Sequence, residues 1–226
     1  MGLLRTSNAD LARDKIKVWS LPAWLVELPD GSRLNVCPSA GVCAKHCYAL
    51  KGTFRFKNVR AAHLRNLMMI VDDIEGWEQQ MTAEVTRLKG GYVRIHDGGD
   101  FFSQEYLEAW LRIMRAAPHI VFYAYTKEIK MFKEIVEPDF PENFKFIYSY
   151  GGKYDHLITE DDRRADIFPD NESLENAGYV NQADSDLLAI NGPKEVGIVV
   201  NNHAGAVKKM NGKSISEQQR SLRKNA

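Results

Sequence analysis

The sequence predicts a single-domain α/β protein, specifically an incomplete β/α barrel of the TIM type. Three observations predict this fold. Short apolar runs alternate with amphipathic helical segments after residue 90, several runs end in glycine, and no Gly/Ser-rich or Pro-rich linker interrupts the 226 residues. Strands buried on both faces and separated by helices are typical of parallel sheets, which right-handed crossovers roll toward a barrel.

Composition places the chain among ordinary globular proteins. Hydrophobic residues make up 44% of it, and 30 basic residues balance 30 acidic ones. A net charge of zero argues against a protein that coats nucleic acid by bulk charge. The amino terminus lacks an apolar stretch of signal-peptide length, and no apolar run reaches the about 18 residues of a membrane span. We therefore expect a cytoplasmic protein with no membrane partner.

Residues 1–35 are predicted to form a strand and hairpin region. The stretch KIKVWSLPAWLVEL alternates apolar and polar residues and breaks at Pro22, and the turn PDGS at 29–32 leads into the short strand SRLNV. Helical spacing then begins at Asn58, with Gly76 as a predicted interruption between two helices and Gly90-Gly91 as the end.

The next part of the chain repeats a strand-helix pattern. Ser103 can cap the helix QEYLEAWLRIMRAA, because a serine oxygen accepts from the free amides of a first turn. A second helix is predicted for EIKMFKEIV. The predicted strands are YVRIHDGGD, HIVFYAY, NFKFIYSYGG and EVGIVVN.

Functional groups gather at the carboxyl ends of parallel strands. Here these ends are HDGGD at 96–100, Thr126-Lys127, Gly151-Gly152 and Asn201-Asn202-His203. The cysteine segment also follows a strand, so we expect it on the same face as HDGGD.

All three cysteines of the chain, Cys37, Cys43 and Cys47, lie within eleven residues. Three thiolates can hold zinc with one further ligand, or three irons of a [4Fe-4S] cluster. Pro, Ser, Gly, Lys and His residues between them disfavour plain apolar burial. Residues 36–203 are therefore predicted to form a metal-binding barrel core, and the spacing leaves iron–sulfur and zinc both open.

Charge is unevenly distributed despite the neutral total. Residues 31–71 contain no Asp or Glu but seven Lys and Arg residues, residues 204–226 form a predicted basic tail, and residues 155–186 are acidic. An acid-free stretch favours an anionic cofactor or a phosphate backbone. We expect nucleic acid or a nucleotide as a partner of the 31–71 region; solvated surface accounts for the acidic stretch and the tail. The sequence carries no signal for an oligomeric state.

The cysteine triad with Tyr48 beside its last member, followed by a helix and a strand ending in Gly-Gly-acid, resembles the radical SAM superfamily. That resemblance implies a [4Fe-4S] cluster on Cys37, Cys43 and Cys47, with S-adenosyl-L-methionine on its open iron. It also implies that Gly98, Gly99 and Asp100 receive the cofactor's methionyl amino group. Both gaps between cysteines are longer here than in that superfamily.

The stretches WSLPA, CPSAGVCAKHCYA and RIHDGGDFFSQEYLEAW also resemble an uncharacterised family of phage and actinobacterial gene products, over most of residues 15 to 127. This resemblance implies a phage or mobile-element setting, in the cytoplasm of an infected or host bacterial cell.

Two alternatives use the same residues differently. HDGGDFF resembles a segment of tRNA-guanine transglycosylases, barrel enzymes with DNA-modifying relatives in phages. The implied activity is insertion of a 7-deazaguanine base, with Asp97 as the acid/base or base-recognising carboxylate and zinc on the thiols. The other alternative is a non-catalytic, metal-stabilised binding protein.

The preferred hypothesis is a radical SAM-like iron–sulfur enzyme of phage type that modifies a nucleotide or nucleic acid. Arg94 and His96 alternate with apolar neighbours and can face a barrel interior, where a charged group needs a partner. Lys127 ends its strand in the corresponding position. The predicted catalytic residues are Arg94, His96, Asp97 and Lys127.

Overall fold

Strands and helices alternate along the chain in the computed structural model, which describes residues 2–6, 8–200 and 204–224. The strands are β1 (Ile16–Trp19), β2 (Leu25–Glu27), β3 (Arg33–Asn35), β4 (Tyr92–Ile95), β5 (Val121–Thr126), β6 (Phe144–Ser149), β7 (Arg164–Phe168), β8 (Val180–Asn181) and β9 (Glu195–Val199). The α-helices are α1 (Ala9–Arg13), α2 (Cys43–His46), α3 (Lys57–Asp72), α4 (Ile74–Val85), α5 (Gln104–Ala116), α6 (Ile129–Met131), α7 (Asn171–Asn176), α8 (Leu188–Asn191), α9 (Ala204–Met210) and α10 (Ile215–Lys224).

Seven of these strands form one sheet in the order β1-β4-β5-β6-β7-β9-β8. The pairings of β1 with β4, β4 with β5, β6 with β7, and β9 with both β7 and β8 are parallel. Counted from β1, the first six positions of the sheet follow chain order, so the sheet lacks the reversal of a doubly wound sheet. The α/β prediction is confirmed as a seven-stranded parallel sheet. Among the described residues, no pairing of the outer strands β1 and β8 closes it into a barrel.

The residues group into two compact units. The first consists of Met1–Pro38, Cys47–Ala124 and Met131–Lys145. The second consists of Ser39–His46, Tyr125–Lys130 and Phe146–Ala226. The cysteines are divided between them, because Cys37 and Cys47 belong to the first unit and Cys43 belongs to the second.

An aromatic core fills the first unit. Trp19 of β1, Trp77 of α4 and Trp110 of α5 are fully buried, and the rings of Trp77 and Trp110 meet edge to face with centroids 5.4 Å apart. The Nε1 of Trp19 donates to the hydroxyl of Tyr106 at 2.9 Å. Large buried rings thus join β1 to the two helices.

The predicted hairpin is confirmed in the first unit. β2 and β3 pair antiparallel, with Leu25 opposite Asn35. In the turn between them, the Ser32 amide donates to Asp30 Oδ1 at 2.9 Å, and Gly31 adopts a φ of 84°. An Asp side chain that accepts from the amide two residues later is a standard turn device.

The break between the two long helices does not fall at Gly76, as predicted, but at Asp73. The Asp73 side chain caps α4 by accepting from the amide of Gly76 at 2.9 Å. Gly76 is thus in the first turn of α4. A glycine marks a break less reliably than a residue that can bond the free amides of a new helix.

A small apolar core lies in the second unit beneath the predicted basic tail. Val42, Met210 and Ile215 are buried together, with Ile167 and Val200 packed against them. The segment predicted as a tail therefore contains two helices, and both contribute to this core, α9 through Met210 and α10 through Ile215. Across the described ranges, no helix combines the length and apolarity needed to cross a bilayer.

Candidate functional site

The HDGGD segment forms a tight turn directly after β4 in the first unit. His96 adopts a φ of 70° and Gly99 a φ of 84°, so the chain reverses within four residues of the strand end. A non-glycine residue with positive φ is uncommon and marks a position that the surrounding structure holds in place.

Both ends of the cysteine segment meet this turn through their neighbours. The Asp100 amide donates to the carbonyl of Val36, which precedes Cys37, at 2.9 Å. The hydroxyl of Tyr48, which follows Cys47, donates to the carbonyl of Asp97. For the part of the segment in the first unit, the predicted shared face with HDGGD is confirmed.

The Asp97 carboxylate is held by a basic and a phenolic partner. Arg94 Nη2 lies 3.5 Å from Asp97 Oδ1, and both side chains are mostly buried. The Tyr48 hydroxyl lies 3.5 Å from the same oxygen. The contact brings two of the predicted catalytic residues together, and their catalytic role stays a prediction. A carboxylate oriented in this way can accept a proton or a hydrogen bond from a bound molecule.

The glycines of the turn are required by close backbone packing. A Cβ on Gly99 would lie 2.7 Å from Leu21 Cβ and 3.0 Å from the Pro22 carbonyl. The Gly98 carbonyl accepts from the Leu21 amide at 2.9 Å, and a Cβ there would lie 3.1 Å from the Leu21 carbonyl. The space beside both glycines is filled by the segment that follows β1.

His96 lies in the aromatic core. Its Nε2 is 2.8 Å from the Tyr106 hydroxyl, and its ring packs on Phe101 with centroids 4.7 Å apart. Only 4% of the residue is exposed, and burial lowers its pKa to about 3, so the ring is neutral at pH 7. The sequence pattern of alternating apolar and polar residues predicted that His96 and Arg94 face the same side. That alternation does not extend to His96, because β4 ends at Ile95 and His96 has a positive φ.

Asp100, predicted to contact a cofactor, is also buried. It is 5% exposed, and its Oδ1 accepts from the amide of Phe101 at 2.9 Å. One carboxylate oxygen therefore stabilises the backbone at the end of the turn.

A second glycine turn, after β6, organises the cysteine segment of the second unit. The Gly151 carbonyl accepts from the amides of Gly41 and Cys43, at 2.9 and 3.1 Å. The Asp155 carboxylate accepts from the amides of Gly151 and Gly152, both at 2.8 Å. Burial raises the pKa of Asp155 although these hydrogen bonds oppose it.

Lys127 and its neighbour Glu128 also lie in the second unit. Lys127 Nζ donates to the Ser149 hydroxyl at 2.8 Å. The buried Glu128 accepts from the amide and the hydroxyl of Ser39, at 2.9 and 2.6 Å. Glu128 therefore fixes the loop between Cys37 and Cys43. The remaining predicted strand end, 201–203, lies outside the described residues.

Sequence comparison places the chain in a family. The family model described as Gene product 88 matches residues 2–224. The chain belongs to the Gene product 88 family. The Gene 88 protein of Mycobacterium phage L5 is 37% identical over 112 aligned positions, and the match covers 45% of this chain and 46% of the relative. The Gene 88 protein of Mycobacterium phage D29 is 34% identical over 112 aligned positions. That match also covers 45% of this chain and 46% of the relative.

These matches support the resemblance to phage gene products. They give no support to a likeness with radical SAM proteins or tRNA-guanine transglycosylases. The match spans about half the length of the curated relatives. No solved structure matches the chain.

The thiols of this Gene product 88 chain have the chemistry of metal ligands. None forms a disulfide, and all three are partly exposed. Within the described ranges, however, no three His, Cys, Asp or Glu side chains are arranged to hold a metal ion. The three thiols are suitable donors for a thiolate-bound metal or cluster. Support for such a group therefore comes from the chemistry of the cysteines and from their positions in the chain.

Residues that fix the cysteine loop were missed at the level of sequence. Ser39, Glu128 and Asp155 had no assigned role, although each is buried or half-buried and hydrogen-bonded to the backbone. Ser39 was visible inside the cysteine segment. Glu128 was not, because its partner Ser39 lies 89 positions away in the sequence. Asp155 bonds to the nearby amides of Gly151 and Gly152, but an acidic residue after a glycine pair is also typical of a solvated turn.

We expect Gly99→Ala to destabilise the protein by about 3 kcal/mol, from left-handed strain of about 1–2 kcal/mol plus overpacking against Leu21. Gly31→Ala is the matched control, because Gly31 has the same φ of 84° and no atom within 4 Å of the added Cβ. Chemical denaturation should show a loss of about 1 kcal/mol for the control. Equal losses for both variants would contradict the close approach.

Mild acid should destabilise the protein through His96. The pKa of His96 is about 3 in the folded chain against an ordinary 6.5, so below pH 6.5 the unfolded chain takes up the proton first. Stability is therefore lost as the pH falls from about 6.5 toward 3. We expect about 2 kcal/mol to be lost between pH 7.5 and 5, and His96→Gln to remove that part of the dependence.

The matched control is His119→Gln, at an exposed histidine bonded to the Leu88 carbonyl. This variant keeps His96, so the loss of unfolding free energy that His96 causes between pH 7.5 and 5 should remain. An NMR titration in which His96 of the native protein gains its proton near pH 6.5 would contradict the assignment without requiring either variant to fold.

Proposed function

We propose that this chain is an iron–sulfur protein that binds a [4Fe-4S] cluster through Cys37, Cys43 and Cys47. The observation that carries the proposal is the position of the thiols relative to the strand ends. Cys37 and Cys47 each adjoin a residue bonded to the HDGGD turn, and Cys43 bonds to the glycine turn after β6. Functional groups collect at the carboxyl ends of parallel strands.

The order of the elements supports the same proposal. The cysteine segment lies between β1 and α3, and the chain then returns to β4, the parallel neighbour of β1. A three-thiolate cluster, when bound, leaves one iron open to a small ligand such as S-adenosyl-L-methionine. In the first unit, the protein group that can position a substrate is the Asp97 carboxylate, which Arg94 orients. In the second unit, the Lys127 ammonium is held by the Ser149 hydroxyl.

Protein purified without oxygen should contain about four irons and four sulfides per chain. Cys37→Ala, Cys43→Ala and Cys47→Ala should each lose most of both, because each removes one of three ligands. His46→Ala is the matched control, since His46 adjoins Cys47 and bonds to Gln218 instead.

Zinc without sulfide would reject the iron–sulfur proposal and favour the transglycosylase-like or structural alternatives. Metal content unchanged in all three cysteine variants would reject the thiols as ligands. Elemental analysis and a visible absorption spectrum give these readouts without any assay of activity.

A basic and aromatic surface in the first unit supports nucleic acid as the partner. We define this surface by the exposed cations Lys51, Arg55, Lys57 and Arg60 together with Phe56. Phe56 is 58% exposed although it is large and apolar. Exposed apolar rings among cations are typical of proteins that bind single strands, because bases stack on the rings while the cations follow the phosphates.

The same surface borders a groove of about 590 Å³. Leu25, Phe54 and Leu64 line it, Arg55, Lys57 and Arg60 lie along it, and Glu27 is its one carboxylate among the described residues. Among the described residues, no carboxylate lies within 4 Å of the charged groups of Arg55, Lys57 or Arg60. The unneutralised charge favours an anionic partner. We infer that the substrate of the proposed enzyme is a single-stranded nucleic acid.

Reversing charge on this surface should weaken binding of a labelled single-stranded oligonucleotide. We expect Arg55→Glu/Lys57→Glu to reduce affinity more than tenfold at low salt and to flatten its salt dependence, since each lost phosphate contact lowers the slope by about one. Phe56→Ala should cost about fivefold through lost stacking.

Lys89→Glu and Phe140→Ala are the matched controls, because both residues are exposed outside the surface. Fluorescence anisotropy measures all four variants against the native chain. Equal losses in variants and controls, or no binding by the native chain, would reject the surface.

A further inference from the structure

A polar cavity of about 880 Å³ lies within the second unit, apart from every residue that the sequence singled out as catalytic or metal-binding. One wall is the face of β7 that carries Arg164, Asp166 and Phe168. The others come from α7, α10 and the turn after β6. Its volume is that of a site for a small molecule of nucleotide size.

The most buried carboxylate of the cavity is Asp166, and it is hydrogen-bonded to the backbone. Asp166 is 3% exposed, and its Oδ1 accepts from the amides of Ile167 and Ser216 at 2.8 and 3.2 Å. Burial raises the pKa of Asp166 although its hydrogen bonds oppose this. The carboxylate holds the start of α10 against β7.

The other carboxylates of the lining also have structural tasks, with one exception. Asp155 accepts from two glycine amides, and Glu217 accepts from the amide of Ser214 at 2.7 Å. The exception is Glu160, which is exposed at the edge. Arg164 is neutralised by Glu195, with an Nη2–Oε1 distance of 2.7 Å.

Two arginines lie at the mouth, and one of them, Arg223, also acts electrostatically on the Asp155 carboxylate. Arg220 and Arg223 lie one turn apart on α10, line the cavity and are exposed. Within the described ranges neither forms a salt bridge; Arg220 Nη2 reaches only the Ser216 hydroxyl, at 3.5 Å. Two guanidinium groups one turn apart can bind a phosphate by charge-assisted hydrogen bonds.

Aromatic rings provide the remaining contact surface. Tyr150, Phe168 and Tyr179 line the cavity, and the rings of Phe168 and Tyr179 pack with centroids 5.0 Å apart. The phenol groups of Tyr150 and Tyr179 are half-buried, and burial raises the pKa of each. Both are therefore neutral hydrogen-bond donors at pH 7. Such a wall suits a planar heterocycle with polar edges.

We propose that this cavity binds a nucleoside phosphate, with the phosphate on Arg220 and Arg223 and the base against Tyr150, Phe168 and Tyr179. Inorganic phosphate would use only the arginines, and a free nucleoside only the aromatic wall. The site needs neither the cysteines nor a metal, so its test is independent of the proposed cluster.

The test is calorimetric titration of the full chain with the four ribonucleoside 5′-monophosphates, their nucleosides and inorganic phosphate. At least one nucleotide should bind about tenfold or more tightly than its nucleoside and than phosphate. Arg220→Ala and Arg223→Ala should each weaken that nucleotide about tenfold and leave nucleoside affinity unchanged, because a charge-assisted contact is lost.

Lys208→Ala is the matched control, since Lys208 is an exposed cation on α9 that does not line the cavity. Tyr179→Phe, which keeps the ring, should retain most affinity, whereas Tyr179→Ala should lose it. Nucleotide affinity equal to that of phosphate would overturn the proposal, and so would equal losses in the arginine variants and the Lys208 control. Binding of none of the probes would also overturn it.

Discussion

The approach of the Gly98-Gly99 backbone to Leu21 and Pro22 determines how the first unit is built at its functional end. The Gly98 carbonyl takes the Leu21 amide, and Gly99 leaves no room for a side chain. With the exits of β1 and β4 joined in this way, Asp100 reaches Val36 and Asp97 reaches Tyr48. A close packing contact thus sets the positions of two cysteines.

In the second unit, carboxylates with little solvent exposure hold the backbone in place. Glu128, Asp155 and Asp166 each bind backbone amides and thereby fix a loop, a turn or a helix start. Such groups cost free energy unless their hydrogen bonds are complete, so each ties its segment to one conformation. The segment containing Cys43 and the wall of the cavity are both held in this way.

Local signals were sufficient for much of the fold. Apolar runs identified β4, β5, β6 and β9, and the PDGS turn identified the hairpin. β7 was missed because RADIF alternates charged and apolar residues within an acidic stretch that was interpreted as solvated surface. α10 was missed as a packed helix because its apolar residues are few, although Ile215 is buried. Both β7 and α10 are stabilised by partners that are distant in the sequence. A local sequence pattern does not reveal such partners.

The hydrogen bond from the Val42 amide to Gln219 joins residues 177 positions apart. A ribosome that adds about 5–20 residues per second makes Gln219 roughly 9–35 s after Val42. During that interval the loop with Cys43 lacks a partner on which its native conformation depends. Maturation of the thiol segment is therefore expected only after Gln219 has been made, whatever group the cysteines finally bind.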